Sequence, residues 1–116
     1  MEHRQHPRFL VQFRSSFSSA NIVSGEGNLV DLSIRGCRIL SATEVKAGTT
    51  LQLRVDVSGG QPPIQVKQAV VRWCRDRGFG LEFVSLAPDE WARLQQVVKE
   101  LELEPYQRAG SSDEAA

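Results

Sequence analysis

The sequence has few cysteines and no long apolar run, and these shortages exclude several classes of protein. Its two cysteines are too few for the disulfide framework of a small secreted domain. Both lie in apolar stretches and are predicted to be buried thiols in a reducing compartment. No apolar run approaches the roughly 18 residues of a membrane span, and the charged start MEHRQHPRFL lacks the apolar core of a signal peptide. We therefore expect a cytoplasmic protein that does not insert into a membrane.

The sequence also lacks net charge, although its charges are unevenly distributed. Fourteen basic and fourteen acidic residues balance, which argues against DNA or RNA as a partner, because nucleic-acid-binding domains are commonly basic. Residues 1–38 carry five arginines and three carboxylates, whereas residues 99–116 carry two basic and five acidic residues. A basic first part and an acidic end indicate a localised anion site.

Aromatic residues are scarce as well. They make up 7% of the chain, and most fall at expected core positions, which leaves too few for a surface that stacks single-stranded nucleic acid. Trp73 is interpreted as a packing residue of the fold, with the alternative that an exposed edge stacks on a ligand.

What is present is a series of short strand signals in a chain of single-domain length. Apolar residues alternate with polar ones, as in LQLRVDV, which is the period-2 pattern of a half-buried strand. Clusters of turn-forming residues separate these runs, the first of them SGEGN at 24–28. The spacing predicts an all-β, six-stranded antiparallel barrel. The predicted strands lie near residues 9–14, 28–34, 37–41, 51–57, 64–74 and 79–86.

The apolar period changes after Pro88. This proline suits the first position of a helix, and the two acidic residues that follow it favour the positive end of a helix dipole. Apolar residues then recur at helical spacing, as Trp91, Leu94, Val98 and Leu101. We predict a C-terminal helix at about 88–104 that ends at Pro105, a barrel domain over 9–104, and a disordered tail over 105–116.

Two arginines lie four residues apart in RQHPR near the start. Pro7 disfavours a helix, so Arg4 and Arg8 are predicted to lie on an extended or turn-like segment, with Cα atoms up to roughly 13 Å apart. Arginine offers a planar donor fork for phosphate or for the O6/N7 edge of guanine, and a flat face for stacking. Residues 1–8 are interpreted as a basic arm that grips an anionic ligand. A solvated basic terminus is the alternative.

Three residues that strands disfavour interrupt the run DLSIRGCRI: Asp31, Ser33 and Gly36. On a strand, Asp31 and Ser33 would point to the same side. A carboxylate can accept hydrogen bonds from the N1/N2 edge of guanine, and a hydroxyl can donate or accept beside it. Gly36 would let the backbone turn or bulge and allow a flat ring to approach. The pattern predicts a guanine nucleotide as ligand, with a turn that bonds its own backbone as the alternative.

In this order the two motifs resemble the signature of PilZ domains. The first is RxxxR (Arg4, Arg8) and the second is [D/N]xSxxG (Asp31, Ser33, Gly36). AVVRWCRDRGFGLEFVSL resembles the final hairpin of that family, and the predicted helix fits as well. The resemblance implies a six-stranded antiparallel β-barrel with a C-terminal helix, and cyclic di-GMP as the ligand.

The resemblance also implies roles for individual residues. Arg4 and Arg8 would hold guanine edges, stack on the bases and contact phosphates. Asp31 and Ser33 would hydrogen-bond one guanine, and Gly36 would leave room for it. In the family, the residue directly before the arginine motif tunes whether one ligand or a stacked pair binds. Further candidate ligand contacts are His3, Gln5, Arg38 and Gly80.

A receptor without enzymatic activity is therefore expected. Only three residues precede Arg4, which predicts a stand-alone module that signals to an unidentified downstream protein, as a monomer or a ligand-linked dimer. Ligand binding would clamp the arm over the barrel and change the surface that the partner reads. The alternative is a PilZ-like structural or adaptor domain that acts by protein contacts without nucleotide.

The sequence predicts neither a cofactor nor a catalytic metal. No metal-binding or acid–base cluster is evident, which argues against phosphodiesterase or cyclase chemistry. Neither cysteine has a recognisable base beside it. His3 and His6 have the spacing of a ligand pair but lack a third ligand.

Overall fold

The computed structural model describes residues 7–19, 24–57 and 60–115, with helix side chains as far as Leu103. The strands of this part of the chain close into one antiparallel barrel in the order β1-β2-β3-β6-β5-β4. The predicted six-stranded antiparallel barrel with a C-terminal helix is confirmed. Its elements are β1 (Phe9–Ser18), β2 (Ser24–Leu32), β3 (Gly36–Leu40), β4 (Thr50–Asp56), β5 (Ile64–Arg75), β6 (Gly78–Ser85) and α1 (Pro88–Ala115).

Alternating apolar residues fill the barrel interior. In β4, Leu51, Leu53 and Val55 are buried, while the residues between them are exposed, as the period-2 pattern predicts. Phe17 of β1 and Phe79 of β6 meet edge to face inside the barrel, with ring centroids 5.1 Å apart. Burial of each large apolar side chain contributes about 1.5–3 kcal/mol, so the closed barrel is held mainly by this interior.

The stretch SGEGN, predicted as a turn, is the first half of β2 instead. A Cβ atom at Gly25 would lie 2.4 Å from Thr43 Oγ1, and one at Gly27 would lie 2.4 Å from the carbonyl oxygen of Leu40. These glycines therefore let neighbouring segments approach closely within the sheet. Glycine serves such close approach as well as turns, which is why composition alone predicted the wrong element.

The helix α1 begins at Pro88 as predicted and packs against β5 and β1. Its first backbone bond runs from the Trp91 N–H to the Ala87 carbonyl oxygen at 2.9 Å. Leu94 is buried in the barrel core, and Val98 and Leu101 are partly buried against it. The predicted apolar stripe thus faces the barrel, except that Trp91 is exposed. Within the described part of the chain, no helix is long and apolar enough to cross a membrane.

Polar contacts fix the first turns of α1 to the connection between β4 and β5. Glu90 Oε1 accepts a hydrogen bond of 2.9 Å from the Gln65 N–H. The Arg93 guanidinium donates to the carbonyl oxygen of Pro63 at 2.8 Å and also to that of Pro62. Since proline carbonyls have no strand partner here, the arginine satisfies acceptors that would otherwise need water.

The backbone of α1 continues to Ala115, whereas the sequence predicts a helix end at Pro105 and a disordered tail over 105–116. Proline removes one intrahelical hydrogen bond and clashes with the preceding turn, at a cost of about 3 kcal/mol. Its own φ of about −65° is nevertheless helical. Proline therefore weakens a helix without dictating where it ends.

Candidate functional site

The run DLSIRGCRI folds as a hairpin and not as one interrupted strand. β2 ends at Leu32 and β3 begins at Gly36, so Ser33 lies in the connecting turn. Asp31 is the last polar residue of β2 and pairs across the ladder with Arg38 of β3. The prediction that Asp31 and Ser33 share one side of a strand is therefore wrong, because the strand ends between them.

The hydroxyl of Ser33 is engaged by its own turn. Its Oγ accepts hydrogen bonds from the Arg35 N–H at 3.1 Å and the Gly36 N–H at 3.2 Å, and donates to the Gly36 carbonyl oxygen at 3.4 Å. The Ser33 N–H closes the turn on the same carbonyl at 2.8 Å. Ser33 is only 2% exposed. The serine shapes the segment that presents Asp31, and its predicted contact with a ligand stays a prediction.

Replacing Ser33 with Ala should lower the free energy of unfolding by about 1–2 kcal/mol, because two backbone N–H groups at a buried turn lose their acceptor. Urea denaturation measures this. Ser41→Ala is the matched control, since Ser41 Oγ also accepts a backbone N–H two residues on, at 3.1 Å, but is only partly buried. Water can replace that hydroxyl, so we expect a loss below about 0.5 kcal/mol. Equal losses would contradict a special role for the Ser33 turn.

Gly36 is required by the barrel itself. A Cβ atom there would lie 2.1 Å from the carbonyl oxygen of Leu81 on β6. The Phe83 N–H donates to the Arg35 carbonyl oxygen at 2.8 Å, which holds the turn close to β6. The glycine thus has a packing role in addition to the space for a ligand that the motif predicts.

The carboxylate of Asp31 contacts two of the arginines that are predicted to bind the ligand. It forms an ion pair with Arg8, and its Oδ2 lies 3.9 Å from Arg38 Nε. The Asp31 side chain is 19% exposed. Arg38 Nε is buried and has no hydrogen-bond partner among the described residues. A buried, unpaired donor is costly, whereas the Arg38 side chain as a whole is 41% exposed, so the guanidinium can turn toward an acceptor that approaches the wall.

A row of cross-strand neighbours extends this cluster over the outer wall of the barrel. Asp31 pairs with Arg38, Arg38 with Gly80, and Gly80 with Trp73. The Trp73 indole lies over Gly80, where a Cβ atom would lie 2.2 Å from its Nε1. Trp73 is 41% exposed. With strands about 4.8 Å apart, the row spans about 14 Å from the carboxylate to the indole.

Comparisons with known proteins identify the family to which this barrel belongs. A family model for the PilZ domain matches residues 2–100. The chain belongs to the PilZ domain family. The matched region contains both motifs and the whole barrel. A comparison with curated protein sequences finds no match.

Solved structures similar to this PilZ domain include two proteins of about twice its length. YcgR from Escherichia coli, in complex with c-di-GMP, is 21% identical with a TM-score of 0.78, over 96% of this chain and 51% of that one. MotI/DgrA, an inhibitor of motility from Bacillus subtilis, is 18% identical with a TM-score of 0.74, over 90% of this chain and 53% of that one.

The PilZ domain of YcgR alone, with c-di-GMP, is 19% identical with a TM-score of 0.73, over 94% of this chain and 98% of that one. The present chain therefore spans about half of YcgR and MotI and nearly all of this single domain. Identities at this level show a shared fold.

Trp73 lies on the outer wall of this PilZ domain because of an irregularity in β5 that the sequence did not reveal. Counting by twos from buried Val71 places Trp73 inside the barrel. The register between β5 and β6 shifts between these two residues, and such a bulge rotates the side chains that follow it. A bulky aromatic close to the end of a strand, opposite a glycine, was the available signal.

Two other arginines near the wall are already engaged. Glu82 on β6 accepts a hydrogen bond of 2.6 Å from Arg72 Nε and one of 3.4 Å from Arg35 Nη2. The hydrogen bond from Arg72 is the main reason that the pKa of Glu82 lies below its usual value, and Arg35 adds to it. These two arginines therefore flank the row and share one carboxylate between them.

The two cysteines of the PilZ domain have different environments. Cys37 of β3 is buried, and burial together with the nearby Asp31 carboxylate raises the pKa of its thiol. It is the buried thiol that the sequence predicts. Cys74 is exposed, with Sγ 3.1 Å from the Val45 carbonyl oxygen, so the prediction is wrong there. Cys74 pairs with the core residue Phe79, so it shares the inward side of the ladder, but it lies one residue from the end of β5, where the barrel interior opens to solvent.

The remaining predicted site residues lie outside the part of the chain that the structure describes. His3, Arg4 and Gln5 belong to residues 1–6, and so does His6. Their predicted ligand contacts stay predictions. Among the described residues, no three His, Cys, Asp or Glu side chains form a group that could hold a metal ion.

Proposed function

We propose that this PilZ domain is a receptor for cyclic di-GMP. The observation that carries the proposal is the juxtaposition of Asp31, Arg8, Arg38 and Trp73 on one outer wall. Each of these side chains has a chemistry that suits one part of a guanine nucleotide. Membership of the PilZ family and the c-di-GMP-bound structures of YcgR support the same ligand.

In this proposal Asp31 recognises the guanine base. Its carboxylate accepts from the N1 and N2 donors, an arrangement that adenine lacks. In the ligand-free protein the carboxylate is held by Arg8, so the arginine must shift to the guanine acceptor edge or to a phosphate as the base arrives. The exposed guanidinium of Arg38 then turns to donate to an acceptor on the ligand. The arm residue Arg4 supplies a third guanidinium.

Trp73 is proposed as the far end of the nucleotide site. About 14 Å separates it from Asp31, which suits a ligand that carries two bases. The exposed indole offers a flat face for stacking, and Gly80 beneath it allows the ring to lie close to the wall. Base–aromatic stacking contributes about 1–3 kcal/mol.

Binding is proposed to clamp the arm, residues 1–8, over the wall, which changes the surface that a downstream protein reads. Ordering the arm costs conformational entropy, which offsets part of the gain from arginine–guanine and cation–π contacts. We therefore expect a modest affinity, with a dissociation constant of about 1 μM.

Isothermal titration calorimetry tests the proposal. We expect saturable binding of cyclic di-GMP, little binding of cyclic di-AMP, and a loss of affinity of at least about tenfold in Arg8→Ala, because one arginine–guanine pair disappears. Arg14→Ala is the matched control, since Arg14 is an exposed arginine of β1 outside the row. A flat trace with folded wild-type protein would contradict the receptor function and favour the adaptor alternative.

A further inference from the structure

The turn between β5 and β6 carries two arginines that the nucleotide site does not use. Arg75 and Arg77 are exposed there. Six other described arginines contact a carboxylate within 4 Å, but no described side chain pairs with these two. They border a groove of about 510 Å³ whose lining also includes Asp76, the exposed Leu40, and Arg38 and Trp73 of the proposed nucleotide site. We call Arg75, Arg77 and Leu40 the basic rim.

The C-terminal part of the chain carries the opposite charge. Residues 100–116 contain five carboxylates and one arginine. Glu100 and Glu102 are exposed on α1, and Leu103 beside them is 47% exposed. The acidic segment, residues 100–114, thus combines carboxylates with the exposed Leu103, as the basic rim combines guanidinium groups with the exposed Leu40.

Every copy of the chain carries one acidic segment and one basic rim, so a contact between two copies can be made twice. Two copies that exchange acidic segments would make two equivalent contacts and a closed twofold dimer.

We propose that this PilZ domain forms a salt-sensitive homodimer in which the acidic segment of each copy docks on the basic rim of the other. Exposed ion pairs are weak and screened, so the dimer dissociation constant is expected between about 10 μM and about 1 mM. The proposal goes beyond nucleotide binding and does not depend on it, because both surfaces belong to the ligand-free protein.

Sedimentation velocity of the full chain over a range of protein concentrations tests this, without nucleotide. We expect a monomer–dimer equilibrium at about 10 mM salt and monomer at about 1 M, where the screening length falls from about 30 Å to about 3 Å. Arg75→Glu/Arg77→Glu should raise the dissociation constant at least about tenfold, since each copy loses two pairs in two contacts. The control Arg14→Glu/Lys67→Glu makes the same charge change at exposed residues of β1 and β5 away from this turn and should leave the dimer intact.

A charge-exchange experiment provides a second test of the dimer. Glu100→Lys/Glu102→Lys should also weaken the dimer, and mixing this variant with Arg75→Glu/Arg77→Glu should restore association between the two. Monomer at every concentration in low salt, or a dimer equally strong in the rim and control variants, would overturn the proposal. A salt-dependent change in shape without concentration dependence would also overturn it, because that result indicates contact within one chain. Nucleotide titration of the same samples reports on the receptor function separately.

Discussion

Replacing Asp31 with Asn is expected to weaken cyclic di-GMP binding by about 10- to 100-fold. A hydrogen bond to a charged group contributes about 1.5–3 kcal/mol, which corresponds to that range. Asparagine keeps the size of the side chain but replaces one acceptor oxygen with a donor NH₂ group. In this variant a donor NH₂ group would therefore face the N1 and N2 donors of guanine. It also removes the charge that holds Arg8 and lies near Arg38.

Calorimetric titration of Asp31→Asn beside Asp56→Asn measures this effect. Asp56 is an exposed carboxylate of β4 that faces Arg54 at 3.4 Å, so its replacement makes the same chemical change away from the row. Urea denaturation of both variants shows whether the barrel is intact. Wild-type affinity in a folded Asp31→Asn protein would show that another group recognises the base.

Replacing Gly36 with Ala should cost about 3 kcal/mol of folding free energy, and Gly80→Ala provides the informative comparison. Neither glycine has a positive φ, so alanine is allowed by the backbone at both. At Gly36 the new Cβ would meet the Leu81 carbonyl oxygen at 2.1 Å, and a strand backbone cannot move without disturbing the ladder. At Gly80 it would meet the exposed indole of Trp73 at 2.2 Å, which can rotate away.

The two glycine variants should therefore separate stability from binding. Gly80→Ala is expected to lose only about 1 kcal/mol of stability but to weaken cyclic di-GMP binding about tenfold, because the stacking face of Trp73 is displaced. Urea denaturation and calorimetry on both proteins give the two readings. If Gly36→Ala unfolded at the wild-type urea concentration, the packing argument for this residue would fail; unchanged binding in Gly80→Ala would remove Trp73 from the site.

Much of the fold could be predicted because its signals are local. The alternation in LQLRVDV and the proline at position 88 act over a few residues and do not depend on distant parts of the chain. They predicted β4 and the start of α1 correctly. The RxxxR and DxSxxG spacings likewise indicated the PilZ family. Glycine serves both turns and the close approach of neighbouring strands. In SGEGN the turn was predicted, and the structure shows the close approach.

The arrangement of the site depends on contacts between residues distant in sequence. Asp31 meets Arg38 through the β2–β3 register, and Gly36 is constrained by β6, which lies more than forty residues later. Trp73 turns outward because an irregularity shifts β5 against β6. Composition and periodicity specified which residue types were present and how each strand alternates. The closure of the barrel specified which of them face one another, because register is a property of pairs of strands.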